Sequence, residues 1–219
     1  METQTLSLYH IIKEPTSKKE KTPVLFMFHG YGSDENDLFS FAPELPETLC
    51  IISVRAPYPI QPYGNAWYAI YFDAAEGKFS DDAQAIESRD KIASFIDEAV
   101  TAYNLDADNV TLLGFSQGAI LSYAVALSYP EKINNVIALS GYLNEDILAE
   151  GYESNDFSNL NLYCSHGNID QVIPVDWARK APVKLATVGI KTSLQEFPVG
   201  HGVAPQNFHQ FKEWLARLI

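Results

Sequence analysis

The chain has 219 residues, of which 47% are hydrophobic and 20% are charged, a size and composition typical of one globular domain. Its formal net charge of -13 repels phosphate backbones and anionic lipid surfaces, which disfavours a nucleic-acid partner and stable membrane association. The first ten residues lack the pattern of a signal peptide, and no apolar run is long enough to cross a bilayer. We therefore expect a cytoplasmic protein with a single domain over residues 1–219.

Short apolar runs separated by helical patterns organise the chain. Residues 5–12 predict an edge strand, and further strands are expected at residues 24–28, 49–54, 110–113, 136–139, 160–164 and 193–197. Because most of these runs alternate with helical segments, they predict a mainly parallel sheet with helices on both faces. The fold class is therefore expected to be α/β.

Helix signals stand between the predicted strands. Ser80 is the expected cap of one helix, a second helix covers residues 118–129, and a third begins at Pro205. Pro182 interrupts a further helical pattern over residues 174–188. A proline inside a helix removes one hydrogen bond and clashes with the preceding turn, so we expect a break there.

The segment Gly114-Phe115-Ser116-Gln117-Gly118 fits the pattern G-x-S-x-G between a predicted strand and a predicted helix. In that context the pattern predicts a sharp turn that raises the serine above the sheet edge. Ser116 is therefore the candidate nucleophile, and the backbone N–H of Gln117 is a candidate donor to a developing oxyanion. The alternative is an ordinary strand-to-helix turn flanked by glycines.

A nucleophilic serine needs an imidazole to take its proton and an acid to orient that imidazole. His201 follows the last predicted strand, which places it at the same sheet edge as Ser116. Asp170 follows the strand predicted at residues 160–164, and it gives the order Ser, Asp, His along the chain. Asp146 is the alternative acid, and either aspartate would otherwise be a capping residue.

The segment His29-Gly30-Tyr31-Gly32 ends the strand predicted at residues 24–28. Its glycines allow the N–H of Tyr31 to turn towards the nucleophile as a second oxyanion donor, although a plain turn before a helix is the alternative. We expect His29 to be an orienting hydrogen-bond group. The chemistry requires no cofactor, and the histidines show no metal-ligand spacing, so no metal site is expected.

The connection over residues 57–79 is dense in aromatic side chains, namely Tyr58, Tyr63, Trp67, Tyr68, Tyr71, Phe72 and Phe79. They form either a minor core under a long loop or the wall of an apolar acyl pocket, and the two can coexist. Trp67 is the best single candidate for a substrate-binding wall. We expect short to medium acyl esters as substrates, because an acidic surface disfavours anionic bilayers.

Taken together, four segments resemble the phospholipase/carboxylesterase family of α/β hydrolases, which includes acyl-protein thioesterases and bacterial carboxylesterases. They are residues 29–32, 114–119, 166–174 and 200–202, in the family's order. The resemblance implies an α/β-hydrolase fold, a small-molecule acyl ester as substrate and, as one oligomeric state, a homodimer. It also implies a catalytic set in which Ser116 is the nucleophile, Asp170 the acid and His201 the base, with Tyr31 and Gln117 as the oxyanion donors.

The chain departs from the acyl-protein thioesterases at two points. Those proteins tend to carry leucine after His-Gly and a Trp-Phe-Asp element in the loop, whereas this chain has Tyr31 and Trp67-Tyr68-Ala69-Ile70. We therefore expect a serine carboxylesterase that forms an acyl-enzyme on Ser116. The alternatives are a thioesterase or lysophospholipase for long acyl chains, acyl transfer to another acceptor, and a catalytically silent binding protein with this fold.

Overall fold

The computed structural model describes residues 4–16, 20–73 and 77–219. The strands in chain order are β1 (His10–Lys13), β2 (Thr22–Phe28), β3 (Cys50–Val54), β4 (Tyr58–Pro59), β5 (Asn65–Ala66), β6 (Ile70–Asp73), β7 (Gly77–Ser80), β8 (Leu105–Phe115), β9 (Asn135–Leu139), β10 (Asn161–Gly167) and β11 (Leu194–Phe197). The α-helices are α1 (Asn36–Phe39), α2 (Asp82–Ala102), α3 (Gln117–Ser128), α4 (Val175–Ala178), α5 (Lys180–Thr187) and α6 (Pro205–Ala216). Short 3-10 turns cover Ala42–Glu44, Pro130–Lys132, Glu145–Ile147 and Tyr152–Ser154.

Within the described ranges, the main sheet has the strand order β1-β3-β2-β8-β9-β10-β11. Only the edge strand β1 runs antiparallel to its neighbour, and every other neighbouring pair in this sheet is parallel. The predicted mainly parallel sheet is therefore confirmed. The aromatic-rich connection forms two additional antiparallel pairs, β4 with β5 and β6 with β7.

Side-chain alternation along β2 shows why both faces of the sheet are covered. Val24, Phe26 and Phe28 pack into one core together with residues of α2 and α3. Leu25 and Met27 point to the opposite face and pack with residues of α1 and α6. Successive side chains of a strand point to opposite faces, so a continuous apolar run needs two covering layers.

The start of α2 corrects the predicted cap. Ser80 is the last residue of β7 and pairs with Ile70, so its backbone belongs to the strand ladder. Asp81 caps the helix instead, and its side chain accepts a hydrogen bond from the N–H of Gln84 at 3.0 Å. Serine and aspartate are both good N-cap residues, so the local sequence does not decide between them. The pairing of Ser80 with Ile70 decides, and the local sequence does not show that pairing.

Two other element bounds test the sequence predictions. The first strand covers only His10–Lys13 rather than residues 5–12, because antiparallel pairing with β3 begins at His10. The predicted break near Pro182 is confirmed, since α4 ends at Ala178 and α5 begins at Lys180. Pro182 thus lies in the first turn of α5, where a missing N–H is tolerated.

Candidate active site

Ser116 occupies a strained turn between β8 and α3. Its backbone has φ 55 and ψ -116, and residues other than glycine rarely adopt a positive φ. A Cβ atom on Gly114 would collide with the carbonyl of Gly118, and one on Gly118 would collide with the carbonyl of Phe28. The two glycines of the motif are therefore required by close backbone packing, and that packing holds Ser116 at the sheet edge.

Three loops bring Ser116, His201 and Asp170 into one hydrogen-bonded chain. His201 Nε2 lies 2.9 Å from Ser116 Oγ, and His201 Nδ1 lies 2.7 Å from Asp170 Oδ2. The loops follow β8, β11 and β10. Since the carboxyl ends of parallel strands share one edge of the sheet, residues far apart in sequence meet there.

Asp170 is held as a carboxylate by several donors. Its Oδ1 accepts hydrogen bonds from the backbone N–H groups of Val172 and Ile173 at 2.8 and 3.0 Å. Burial alone would raise the pKa of Asp170, but the bond from His201 and these two N–H bonds outweigh burial and lower the pKa below its ordinary value. Asp170 is thus suited to accept a hydrogen bond from a protonated imidazole.

Asp146, the alternative acid, lies elsewhere in the site. It is exposed on the wall of a cavity that opens beside Ser116 and His201, and its backbone N–H donates to the side chain of Asn144 at 3.2 Å. Among the described side chains it is Asp170, not Asp146, that contacts the ring of His201.

The two candidate oxyanion donors flank the serine. Gln117 is the first residue of α3, and the loop that carries Tyr31 packs on the turn, since a Cβ on Gly30 would be 3.2 Å from Ser116 Cβ. The N–H groups of Tyr31 and Gln117 make no hydrogen bond to the described part of the chain. Both backbone donors are therefore available to a bound group.

The side chain of Gln117 has a separate role that the sequence did not reveal. Its Oε1 accepts from the N–H of Trp67 at 3.1 Å, and its Nε2 donates to the carbonyl of Tyr68 at 2.8 Å. These two hydrogen bonds connect the turn at Ser116 to the aromatic-rich connection over residues 57–79. Only the backbone of Gln117 remains to face a substrate.

His29 is a buried orienting group, as expected. Its Nδ1 donates to the carbonyl of Gly30 at 2.7 Å, and its Nε2 accepts from the N–H of Ala56 at 3.0 Å. Burial lowers the pKa of His29 below its ordinary value. A neutral ring with both nitrogen atoms engaged fixes the loop that presents Tyr31.

A cavity of about 880 Å³ opens beside Ser116 and His201, a volume in the range of small-molecule sites. Its walls combine apolar, aromatic and charged side chains; they include Tyr31, Tyr68, Ile70, Asp82, Ile120, Tyr142, Leu143, Glu145, Asp146, Val172, Ile173, Trp177 and Lys180. The mixture can accommodate an acyl chain while leaving polar groups within reach of an alcohol portion.

Trp67 does not line this cavity, which corrects its assignment as a substrate-binding wall. Its side chain is completely buried, with the indole N–H donated to the carbonyl of His29 at 2.9 Å and the ring edge-on to Phe28 at 5.5 Å. Aromatic density signalled a packed region, but it did not indicate which ring faces the core. The neighbouring Tyr68 and Ile70 reach the cavity instead.

Because Trp67 is a core residue, Trp67→Ala should destabilise the fold by about 3–5 kcal/mol. That loss corresponds to a melting temperature lower by about 10 °C for a domain of this size. Thermal unfolding followed by circular dichroism would measure it. Tyr63→Ala is the matched control, since Tyr63 lies in the same connection with 83% of its surface exposed and should melt like the wild type. Equal melting temperatures for Trp67→Ala and the wild type would contradict the core assignment.

The sequence did not lead us to expect several of the cavity residues, although their positions after strands could have indicated them. Tyr142 follows β9, and Val172, Ile173 and Trp177 follow β10, so all four come after strands whose ends form the site edge. Tyr142 and Trp177 pack edge to face with ring centroids 5.2 Å apart. Position after a strand, rather than aromatic density, would have identified them.

Among the described residues, no group of three or more His, Cys, Asp and Glu side chains is arranged to hold a metal ion. None of the described helices has both the length and the apolar character of a bilayer-spanning segment.

The chain is similar in sequence to an acyl-protein thioesterase and to a probable carboxylesterase. Acyl-protein thioesterase 1 of Kluyveromyces lactis is 28% identical over 172 residues, which are 72% of this chain and 74% of that protein. A probable carboxylesterase of Oryza sativa is 24% identical over 152 residues, 68% of this chain, and the match spans 57% of the rice protein's length.

The crystal structure of esterase PE8 superposes with a TM-score of 0.83 at 24% identity and covers 98% of this chain and 100% of that chain. This likeness shows the α/β-hydrolase fold. A family model described as phospholipase/carboxylesterase matches residues 9–219. The chain therefore belongs to the phospholipase/carboxylesterase family of hydrolases.

Proposed function

We propose that this protein is a serine carboxylesterase that hydrolyses short to medium acyl esters through an acyl-enzyme on Ser116. The observation that carries the proposal is the hydrogen-bonded chain from Asp170 through His201 to Ser116, which ends at the cavity. A serine with an oriented base beside it and unengaged N–H donors around it has the parts that acyl transfer requires.

In the proposed reaction, His201 Nε2 takes the proton of Ser116 as Oγ attacks the ester carbonyl carbon. The carbonyl oxygen becomes an oxyanion and accepts hydrogen bonds from the N–H groups of Tyr31 and Gln117. The tetrahedral species then expels the alcohol oxygen, which takes the proton from Nε2 and leaves an acyl-enzyme. A water molecule attacks by the same route, releasing the acid and restoring the serine.

Charge on the cavity wall supports an uncharged substrate. Among the described residues that line the cavity, Asp82, Glu145 and Asp146 are acidic, and Lys180 is the one lysine or arginine. The whole chain carries a formal charge of -13. Fields of this sign disfavour anionic headgroups and the surface of anionic bilayers. Soluble esters of short to medium acyl chains fit both the charge and the volume.

A series of soluble acyl esters of one alcohol, from acetyl to palmitoyl, tests the proposed substrate class. We expect kcat/KM to rise by up to about fourfold per methylene, the equivalent of about 0.8 kcal/mol, until the cavity is filled. It should then fall before palmitoyl. Trp177→Ala removes a cavity wall and should reduce the gain per methylene more than it lowers the rate on the acetyl ester. A steady rise to palmitoyl, or a requirement for liposomes, would contradict the small-ester proposal.

Thioester hydrolysis is a second candidate, favoured by the similarity to acyl-protein thioesterase 1 of Kluyveromyces lactis. The same residues would perform it, so a matched thioester series separates the two by kcat/KM. Labelling with an active-site phosphonate, located by mass spectrometry, separates both enzymes from a silent binding protein. An added alcohol or amine acceptor that competes with water would reveal acyl transfer.

A further inference from the structure

A second histidine contacts the proposed catalytic acid. His166 lies on β10, and its Nε2 is 3.3 Å from Asp170 Oδ2 and 2.9 Å from the carbonyl oxygen of Ile173. The side chains of His166 and Asp170 are both fully buried. The reaction described above makes no use of this ring, although it lies next to a group that the reaction requires.

The contacts determine which nitrogen atom of His166 carries a hydrogen. A carbonyl oxygen can only accept, so the bond to Ile173 requires an N–H at Nε2. Asp170 Oδ2 lies 3.3 Å from the same nitrogen atom, as a close contact beside that hydrogen bond. The other nitrogen atom, Nδ1, is buried and has no hydrogen-bond partner among the described residues. Every polar contact of the ring with the described chain is therefore made by Nε2, at Asp170 and the turn that follows it.

We propose that His166 is a positioning residue for the reaction, which rests on the esterase function proposed above. The Asp170 carboxylate accepts hydrogen bonds from the N–H groups of Val172 and Ile173 on Oδ1 and from His201 on Oδ2. The His166 ring lies against Oδ2 and, through its bond to the Ile173 carbonyl, holds the turn that supplies one of those N–H groups. Without His166, that turn would lose a buried anchor, and the carboxylate would be freer to rotate.

His166 should also adjust the electrostatics of the pair formed by Asp170 and His201. The N–H at Nε2 of His166 lies close to Oδ2, and its positive end partly offsets the negative charge of the carboxylate. Removing this N–H would leave more negative charge facing the ring of His201 and would change the pH dependence of the reaction. A purely structural histidine elsewhere in the core would not have this effect.

The surrounding charges do not substitute for this contact. Glu196 is the register partner of His166 on β11. It is exposed, and its carboxylate accepts hydrogen bonds from Nε and Nη2 of Arg179, each at 2.8 Å. Arg179 also pairs with Asp176 at 2.7 Å. These groups form a surface network, whereas His166 and Asp170 share a buried contact.

Two substitutions separate the donor from the ring. A glutamine amide nitrogen reaches about as far as Nε2, whereas an asparagine amide nitrogen reaches only about as far as Nδ1. We expect His166→Asn to lower kcat about tenfold with little change in KM. The acid limb of the kcat/KM profile should move to higher pH by roughly 0.5 unit. His166→Gln should restore most of both values.

His10→Asn is the matched control for loss of a buried histidine. His10 is 2% exposed on the edge strand β1, and its ring bonds to the Leu8 carbonyl and the Tyr103 hydroxyl. Its substitution should lower the melting temperature but leave the pH profile in place. If His166→Asn keeps the wild-type kcat and acid limb, or if His166→Gln falls as far as His166→Asn, the positioning role is overturned.

A second measurement remains if His166→Asn does not fold. In ¹⁵N-labelled wild-type protein, the Nε2–H resonance of His166 should move when a phosphonate occupies Ser116, because that adduct changes the charge on His201 and Asp170. An unmoved resonance would overturn the positioning role. Failure of the wild type to hydrolyse any ester or to be labelled would instead overturn the proposed function itself.

Discussion

Ser116→Ala should lower kcat by about 10⁶ and leave the fold intact. The hydroxyl is the atom that becomes acylated, so nothing else in the proposed chemistry can replace it. Its one hydrogen bond to a described side chain is with His201 at 2.9 Å, and removing it leaves no buried carboxylate unpaired. The residual rate would reflect substrate binding and oxyanion stabilisation alone. Steady-state turnover of the best ester, together with circular dichroism of the purified variant, measures both parts.

Ser122→Ala is the control for this substitution. Ser122 is a buried serine of α3, the helix that follows Ser116, but its hydroxyl donates to the Gly118 carbonyl at 2.7 Å and does not face the cavity. This variant should keep its turnover and its phosphonate labelling. Turnover close to wild type in Ser116→Ala, in a preparation that is not labelled at another serine, would remove the proposed mechanism.

The arrangement of the site was predictable because it depends on topology more than on side-chain detail. Ser116, Asp170 and His201 each follow a predicted strand, and a parallel sheet brings the carboxyl ends of its strands to one edge. Apolar runs and proline positions predict where the strands and helices lie. The two glycines around Ser116 predict the sharp turn, since only a crowded turn requires both of them.

Details that depend on tertiary contacts were not predictable in the same way. Trp67 and Tyr68 are adjacent and equally aromatic, yet only Tyr68 reaches the cavity. The difference arises because the His29 carbonyl accepts the indole N–H of Trp67 and holds that ring inward. His29 is far from Trp67 in sequence. Local composition gives the density of aromatic rings, whereas hydrogen bonds across the fold decide which ring a substrate meets.

The cap of α2 shows the same limit on a smaller scale. Ser80 and Asp81 have similar intrinsic capping ability, and the sequence offers no reason to choose Asp81. Pairing of Ser80 with Ile70 makes that choice. The contact of His166 with Asp170 is a further example. The sequence shows only a histidine four residues before an aspartate, whereas the fold buries both side chains against each other.

Asp170→Asn should lower kcat by about 10⁴, because an amide in place of the carboxylate no longer holds the imidazole in the tautomer that can accept the serine proton. Asp146→Asn is the matched control, since Asp146 lies on the same cavity but its carboxylate does not contact His201. It should keep nearly full kcat. Pre-steady-state acylation and steady-state turnover of both variants measure the difference. If Asp146→Asn were the damaged variant, the acid would have to be reassigned.

The same substitution makes a prediction about stability and pH. The pKa of Asp170 is lowered in the folded protein because bonds from His201, Ile173 and Val172 outweigh burial. A lowered pKa stabilises the native state fully at pH values above the unfolded pKa of about 3.9, and this stabilisation is lost as the pH falls through the folded value. Wild-type stability should therefore decline with acid over this range more steeply than that of Asp170→Asn, which has no carboxylate to protonate. Urea unfolding between neutral pH and about pH 3 would measure the two slopes. Parallel slopes would show that the carboxylate is not held in the folded state as these bonds require.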